Sequence, residues 1–223
     1  MQFIYHKDSS QELLKIDGEL HNYIFKVRRH DKEKNLYFRN LIDDFLYSYE
    51  VEYLDKKIAT LHLVSKEEKV VTASQKLHIG WCKIDFKNIE KVIASLNEIG
   101  VDKITFIECE YSQRNIAINF DKLYKLLQNS SSQSGRSDMI TIEYSKSLDD
   151  FLKSYPDSYM FNFSKQSIDE KNNDIRTIVL GCEGGFSKKE LSQFSEDKIV
   201  GIDSDIILRS ETAITVIASK III

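Results

Sequence analysis

Three runs between residues 36 and 64 set the first pattern in the chain. Leu36-Tyr-Phe-Arg, Phe45 to Tyr53 and Lys57 to Val64 are rich in aromatic and β-branched residues and partly alternate apolar with polar. That is the signature of half-buried strands. The polar pairs Asp43-Asp44 and Asp55-Lys56 separate them, and Gly18 to Val27 reads as a short helix ahead of them. A small β-barrel is the natural way to close such strands. Ser65-Lys-Glu-Glu-Lys69 reads as a linker, after which the rhythm changes. Leu77 to Trp81, Lys103 to Cys109, Ile140 to Tyr144, Tyr159 to Phe163, Thr177 to Leu180 and Lys198 to Ile202 read as strands. Between them, Ile89, Val92, Ile93 and Leu96 have helical spacing over Phe86 to Asn97, with Gly100 as a stop, and a second helix is predicted over Asp121 to Ser130. Strands alternating with helices predict an α/β fold, a mostly parallel sheet covered on both faces. The expected division is residues 1–68 and 69–223.

Composition sharpens this. Hydrophobic residues make up 42% of 223, enough for a core. No apolar run approaches the roughly 20 residues that span a bilayer, and the N-terminus lacks the features of a signal peptide. The expectation is a cytoplasmic protein with no membrane partner. Cys82, Cys109 and Cys182 are widely spaced, odd in number and form no Cys/His ligand pattern. They predict free thiols in a reducing compartment and no metal site. The net charge of −4 argues against binding nucleic acid by bulk charge. Residues 1–68 carry 11 basic and 13 acidic side chains and the remainder 20 and 22, so neither part is basic. A local patch remains, Lys26 to Lys34, with five basic residues, among them Lys26, Arg28 and Arg29, and two acidic ones.

Two segments near the C-terminus carry candidate chemistry. In Thr177 to Glu190 an apolar strand runs into Gly181-Cys-Glu183-Gly184-Gly185 and then a helix start, where Ser187 and Glu190 have capping-box spacing. Three glycines in five residues let backbone approach a ligand or adopt positive φ. An ordinary tight turn fits the same residues. In the second, Ile206-Ile-Leu208-Arg209-Ser-Glu211-Thr212-Ala213, two opposite charges sit between apolar stretches. This is either a salt bridge at a helix start or a polar cluster at the rim of a cleft. The run from Ile214 to Ile223 has strand propensity, but Ile214, Ile217, Ala218 and Ile221 also fit one helical face.

In that order and at that spacing, Leu180-Gly-Cys-Glu-Gly-Gly-Phe-Ser187 and Ile207-Leu-Arg-Ser-Glu-Thr-Ala213 resemble the ribosomal RNA small subunit methyltransferase E family, of the SPOUT class. Asn97-Glu-Ile-Gly-Val, Ser112-Gln-Arg114-Asn, Gln133-Ser-Gly-Arg136 and Tyr23 to Arg29 are similar to further family segments, so the resemblance covers nearly the whole chain. It departs at Cys182, where the family usually has proline, at Asp203-Ser204, at Ser95 and at Tyr23. Cysteine at 182 implies a less rigid loop.

The resemblance implies a C-terminal SPOUT trefoil-knot domain with a parallel sheet, preceded by a small PUA-like β-barrel. It implies S-adenosyl-L-methionine as cofactor, held by Leu180, Gly181, Glu183, Gly184, Gly185, Ile202, Leu208, Thr212 and Ala213. It implies methylation of N3 of a uridine in 16S ribosomal RNA, with Arg209 stabilising charge and Glu211 accepting a proton or orienting Arg209. Lys26, Arg28, Arg29, Arg114 and Arg136 are the implied RNA contacts, and a homodimer through the knot region is the implied assembly. Two other readings stay open: the same chemistry on another RNA, such as 2′-O-ribose methylation of tRNA, and a non-catalytic RNA-binding ribosome-assembly factor.

Overall fold

A computed structural model describes residues 2–113 and 116–223. The chain forms two compact units, Met1–Thr72 with Ser131–Met139, and Ala73–Ser130 with Ile140–Ile223.

In the first unit, strands β1 (Ile4–Tyr5), β2 (Leu13–Asp17), β3 (Leu36–Arg39), β4 (Phe45–Leu54) and β5 (Ile58–Glu68) form one sheet in the order β1-β3-β4-β5-β2. All pairs are antiparallel except β1 with β3. Along β2, Leu14 and Ile16 are buried while Leu13, Lys15 and Asp17 are exposed, the period-two pattern of a strand with one wet face. Helix α1 (Gly18–His21) runs directly into a π-helical turn, Asn22–Val27, whose Ile24 reaches the core with Phe38, Tyr49 and Leu61. Tyr49 donates its hydroxyl to the carbonyls of Ser9 (2.7 Å) and Gln11 (2.5 Å), so a buried phenol is satisfied. Register shifts at Ser48/Tyr49 and Val51/Tyr53 bend the β4–β5 ribbon. The expected linker is corrected here. Ser65–Glu68 belongs to β5, paired with Phe45–Ser48 and exposed. A strand end whose own side chains all reach water needs no apolar alternation, so a charged run there does not read as a strand.

The second unit holds a six-stranded sheet, every pair parallel, in the order β11-β9-β10-β6-β7-β8. Its strands are β6 (His78–Cys82), β7 (Lys103–Ile107), β8 (Thr141–Ser145), β9 (Tyr159–Phe161), β10 (Thr177–Leu180) and β11 (Ile199–Val200). All five residues of β6 are buried, as expected for a central strand covered on both faces. Helix α2 (Phe86–Ile99) starts where Asp85 accepts the Lys87 amide, and ends at Gly100 with φ +110°. Helices α3 (Phe120–Ser134) and α4 (Leu148–Ser154) follow, α4 being too short to show in the apolar periodicity. The ambiguous C-terminal run is helix α6 (Ser210–Ile222), after the short α5 (Lys188–Leu191). It buries Ile214, Ile217, Ala218 and Ile221 and packs on α2 and β10, so burial of one stripe overrides β-branched propensity.

The cysteine expectation is also corrected. Cys82 and Cys109 form a disulfide with Cα atoms 5.6 Å apart, leaving Cys182 as the free thiol. Cys82 pairs in register with Ile107, two residues before Cys109. Strand register makes these neighbours, and spacing along the chain carries no trace of it.

Candidate functional site

Beyond β10 the chain turns sharply. A Cβ on Gly181 would lie 3.1 Å from the Phe186 ring and 3.3 Å from the Gly185 Cα, so any other residue there would push the turn open by a few tenths of an ångström. Gly185 has φ +69° and donates its amide to the Cys182 carbonyl at 2.9 Å. The Cys182 thiol donates to the Gly185 carbonyl at 3.6 Å, so hydrogen bonding holds the turn where proline would have stiffened it. Burial pushes that thiol's pKa up, which keeps it protonated and poorly nucleophilic. The capping box forms: Ser187 donates its amide to Glu190 Oε2 (2.8 Å), and the Glu190 amide donates to Ser187 Oγ (3.3 Å). Glu190 Oε1 accepts the Glu110 amide (2.9 Å), tying in the loop that follows β7. From that same loop, Tyr111 lies 3.0 Å from where a Gly184 Cβ would be.

The facing wall is the segment after β11 and the start of α6. Ser210 is buried; its hydroxyl accepts the Trp81 indole N–H (2.8 Å) and donates to the Gly181 carbonyl (2.7 Å). One serine therefore joins the central strand, the glycine loop and the helix start. Arg209 precedes it, exposed, and makes no ion pair among the described residues. Ile206 and Ile207 are 74% and 75% exposed, and Phe163, beyond β9, is 80% exposed. Glu211 is buried with Oε2 unpartnered among the described residues. Between the walls lies a cavity of about 450 Å³ at the C-terminal ends of β9 and β10, where open parallel sheets bind ligands.

Residues 72–222 match the RNA methyltransferase domain family. The ribosomal RNA small subunit methyltransferase E of Helicobacter pylori (strain 26695) is 36% identical over 222 residues, covering 98% of both chains. The chain belongs to the ribosomal RNA small subunit methyltransferase E family. Among solved structures, a probable rRNA methyltransferase from Porphyromonas gingivalis superposes with TM-score 0.84 at 20% identity, covering 99% of this chain and 96% of that one. The Neisseria gonorrhoeae family member, solved bound to S-adenosyl methionine, superposes with TM-score 0.80 at 15% identity over 98% and 95%. At those identities the likeness is one of fold.

Of the residues singled out from this family's pattern, Leu180, Gly181, Glu183, Gly184, Gly185, Ile202, Leu208, Arg209 and Ala213 line the cavity together. Thr212 and Glu211 do not line it; Thr212 faces solvent and Glu211 is buried. Arg209 and Glu211 form no ion pair with each other, so the salt-bridge reading of that segment is set aside. Lys26, Arg28 and Arg29 are exposed in the first unit around the end of the π-helical turn, Arg29 with φ +51° and Arg28 6.0 Å from the Tyr23 ring centroid. Arg136 differs from them: it is buried and ion-paired to Asp138. Arg114 lies outside the described residues. Among the described residues no cluster of His, Cys, Asp or Glu could hold a metal, and no helix is long and apolar enough to cross a membrane.

Phe161, Asn162 and Phe163, which also line the cavity, were missed by sequence reasoning, as were the tethers Tyr111 and Ser210. The signal for Ser210 was its place inside the Arg-Ser-Glu-Thr run. Gly201 was missed too: a Cβ there would lie 2.8 Å from the Asn162 carbonyl and 2.9 Å from that of Ser164, so two backbone segments lie in direct contact.

Proposed function

We propose that this chain uses S-adenosyl-L-methionine to methylate N3 of a uridine in 16S ribosomal RNA of the small ribosomal subunit. The observation that carries this is the cavity between the glycine loop and Arg209, its walls locked together by Ser210. The residues present fit the cofactor. A volume of about 450 Å³ lies within the usual range for small-molecule sites. Gly181, Gly184 and Gly185 bring backbone to the surface, and Leu180, Ile202, Leu208 and Ala213 offer apolar contact.

When bound, S-adenosylmethionine supplies an electrophilic methyl group on a sulfonium sulfur. Uridine N3 is a weak acid and becomes a good nucleophile once its proton has left, so the chain must favour the anion and hold it in line. Arg209, at the cavity rim and without an ion pair among the described residues, stabilises negative charge on the uracil oxygens. Glu211 accepts the proton or orients Arg209. Its unpartnered buried oxygen supports a role completed only when substrate, cofactor or a second subunit arrives. N3 lies on the pairing edge, so the base enters unpaired or flipped.

In this reading the first unit is a PUA-like barrel that grips RNA phosphates through Lys26, Arg28 and Arg29, and Arg114 contacts RNA as well. Arg136 is buried against Asp138 and serves that domain's packing instead. In the same reading the C-terminal part of the second unit carries the trefoil knot that the family pattern implies, and two copies pair through that region, covering apolar side chains such as the exposed Ile223.

Calorimetry with S-adenosylmethionine tests the site. The wild-type chain should bind, and Gly184→Val, whose side chain collides with Tyr111, should lose binding while staying folded. Unchanged affinity in the variant removes this loop from the cofactor site.

A further inference from the structure

A second cavity, of about 280 Å³, lies at the C-terminal ends of β6, β7 and β8, away from the glycine loop. Lys83 follows β6 directly, Glu108 follows β7, and Tyr144 lies near the end of β8. The Lys83 side chain is only 4% exposed and its ammonium is ion-paired to Glu108 Oε1. Tyr144 donates its hydroxyl to the same oxygen at 2.9 Å. Among the described residues, Glu108 Oε2 accepts nothing and Lys83 Nζ donates to nothing else. Ile116, Ile118 and Phe120 complete the walls.

Lysine is almost never this buried unless paired, and a buried ion pair contributes little stability over apolar residues of the same size. Here the pair keeps spare hydrogen-bonding capacity and faces an apolar-walled space at the ligand-binding end of the sheet. An ammonium with spare donors beside a carboxylate with a spare acceptor matches the pairing edge of a nucleobase, where acceptor and donor atoms are neighbours. The apolar and aromatic side chains of the walls offer packing to its faces.

We infer that this cavity is a nucleobase pocket, holding one unpaired base of the RNA substrate outside the cofactor cavity. Lys83 donates to a ring or keto acceptor of that base, Glu108 Oε2 accepts the adjacent N–H, and Phe120 with Ile116 and Ile118 packs on its face. The inference rests on the RNA-methylation reading and adds to it where the RNA is read.

The test uses the full chain and dye-labelled single-stranded hexauridylate. Lys83→Met and Glu108→Gln should weaken binding about tenfold, as expected for losing one stacked and hydrogen-bonded base. Their affinity for S-adenosylmethionine should stay at the wild-type value. RNA containing 4-thiouridine, irradiated with the wild-type protein, should crosslink to Tyr144 or to residues 116–120, a readout that needs no variant to fold. If the trio only braces the three strands, the variants melt earlier and bind RNA as wild type does, and the inference falls. Crosslinks confined to other peptides also overturn it. A wild-type chain that binds hexauridylate here but has no affinity for S-adenosylmethionine would leave this pocket standing and remove the methyltransferase reading.

Discussion

Residues 181–187 and residues 203–209 face each other across one cavity, yet they are built in different ways. The first wall is tied at nearly every step: Gly185 to Cys182, Ser187 to Glu190, Glu190 to Glu110, and Gly181 to Ser210. The second has local turns, Ser204 with Ile202 and Ile206 with the Ser204 hydroxyl, and leaves Ile206, Ile207 and Arg209 in solvent. The contrast teaches that one wall exists before anything binds, whereas the other gains its contacts from what it binds. Cofactor affinity should therefore reside mainly in the tethered wall, and the chemical step in the open one.

The sharpest way to break that division is Arg209→Ala. In single-turnover methyl transfer at saturating RNA and cofactor, the rate should fall by roughly 10²–10³-fold, the loss typical of one charge-stabilising donor. Arg209→Lys should recover part of it, because a point charge lacks the planar fork. A normal rate with a raised cofactor requirement would move Arg209 into the binding wall.

Ser210→Ala tests the tether. It leaves a buried indole N–H and the Gly181 carbonyl without partners, at about 1–3 kcal/mol each. Calorimetry should show S-adenosylmethionine affinity reduced on the order of tenfold or more, with a lower melting temperature. Affinity at the wild-type value would show that the loop keeps its shape without the serine.

Replacing Lys26, Arg28 and Arg29 together with alanine examines the region that takes part in neither wall. The log–log salt dependence of RNA binding should flatten by about 2, given roughly 0.7 per single-strand phosphate contact. Cofactor affinity should not change. An unaltered slope would take this patch off the phosphate path.

The mildest change is Gly185→Ala. Its φ of +69° costs an L-residue roughly 1–2 kcal/mol, and no atom lies close enough to obstruct the new Cβ. A modest loss of cofactor affinity in calorimetry, smaller than for Gly184→Val, separates backbone conformation from collision with Tyr111.

Much of this was legible in the sequence wherever a pattern is local. The strands β3 to β5, with alternation clear only at the start of β5, the Ile89-Ile93-Leu96 stripe of α2, Gly100 and the Ser187/Glu190 box all appear in the structure. Eight of the residues singled out along the two C-terminal segments, with Ile202 between them, line one cavity. What stayed hidden depends on distant partners. Nothing local says that Tyr111 will fill the space over Gly184, that Gly201 will touch the backbone of Asn162, or that strand register will join Cys82 to Cys109. Ser65–Glu68 failed for the opposite reason: a strand end whose own side chains all reach water has no apolar pattern to show.

The most direct test of the whole account is to incubate the purified chain with unmethylated small ribosomal subunits and S-adenosylmethionine carrying an isotope-labelled methyl group. The ribosomal RNA is then digested to nucleosides for mass spectrometry. Label should appear in 3-methyluridine, at one position, and be lost with Arg209→Ala. Label in a 2′-O-methylated nucleoside, or no label in RNA from a chain that binds the cofactor, would contradict it.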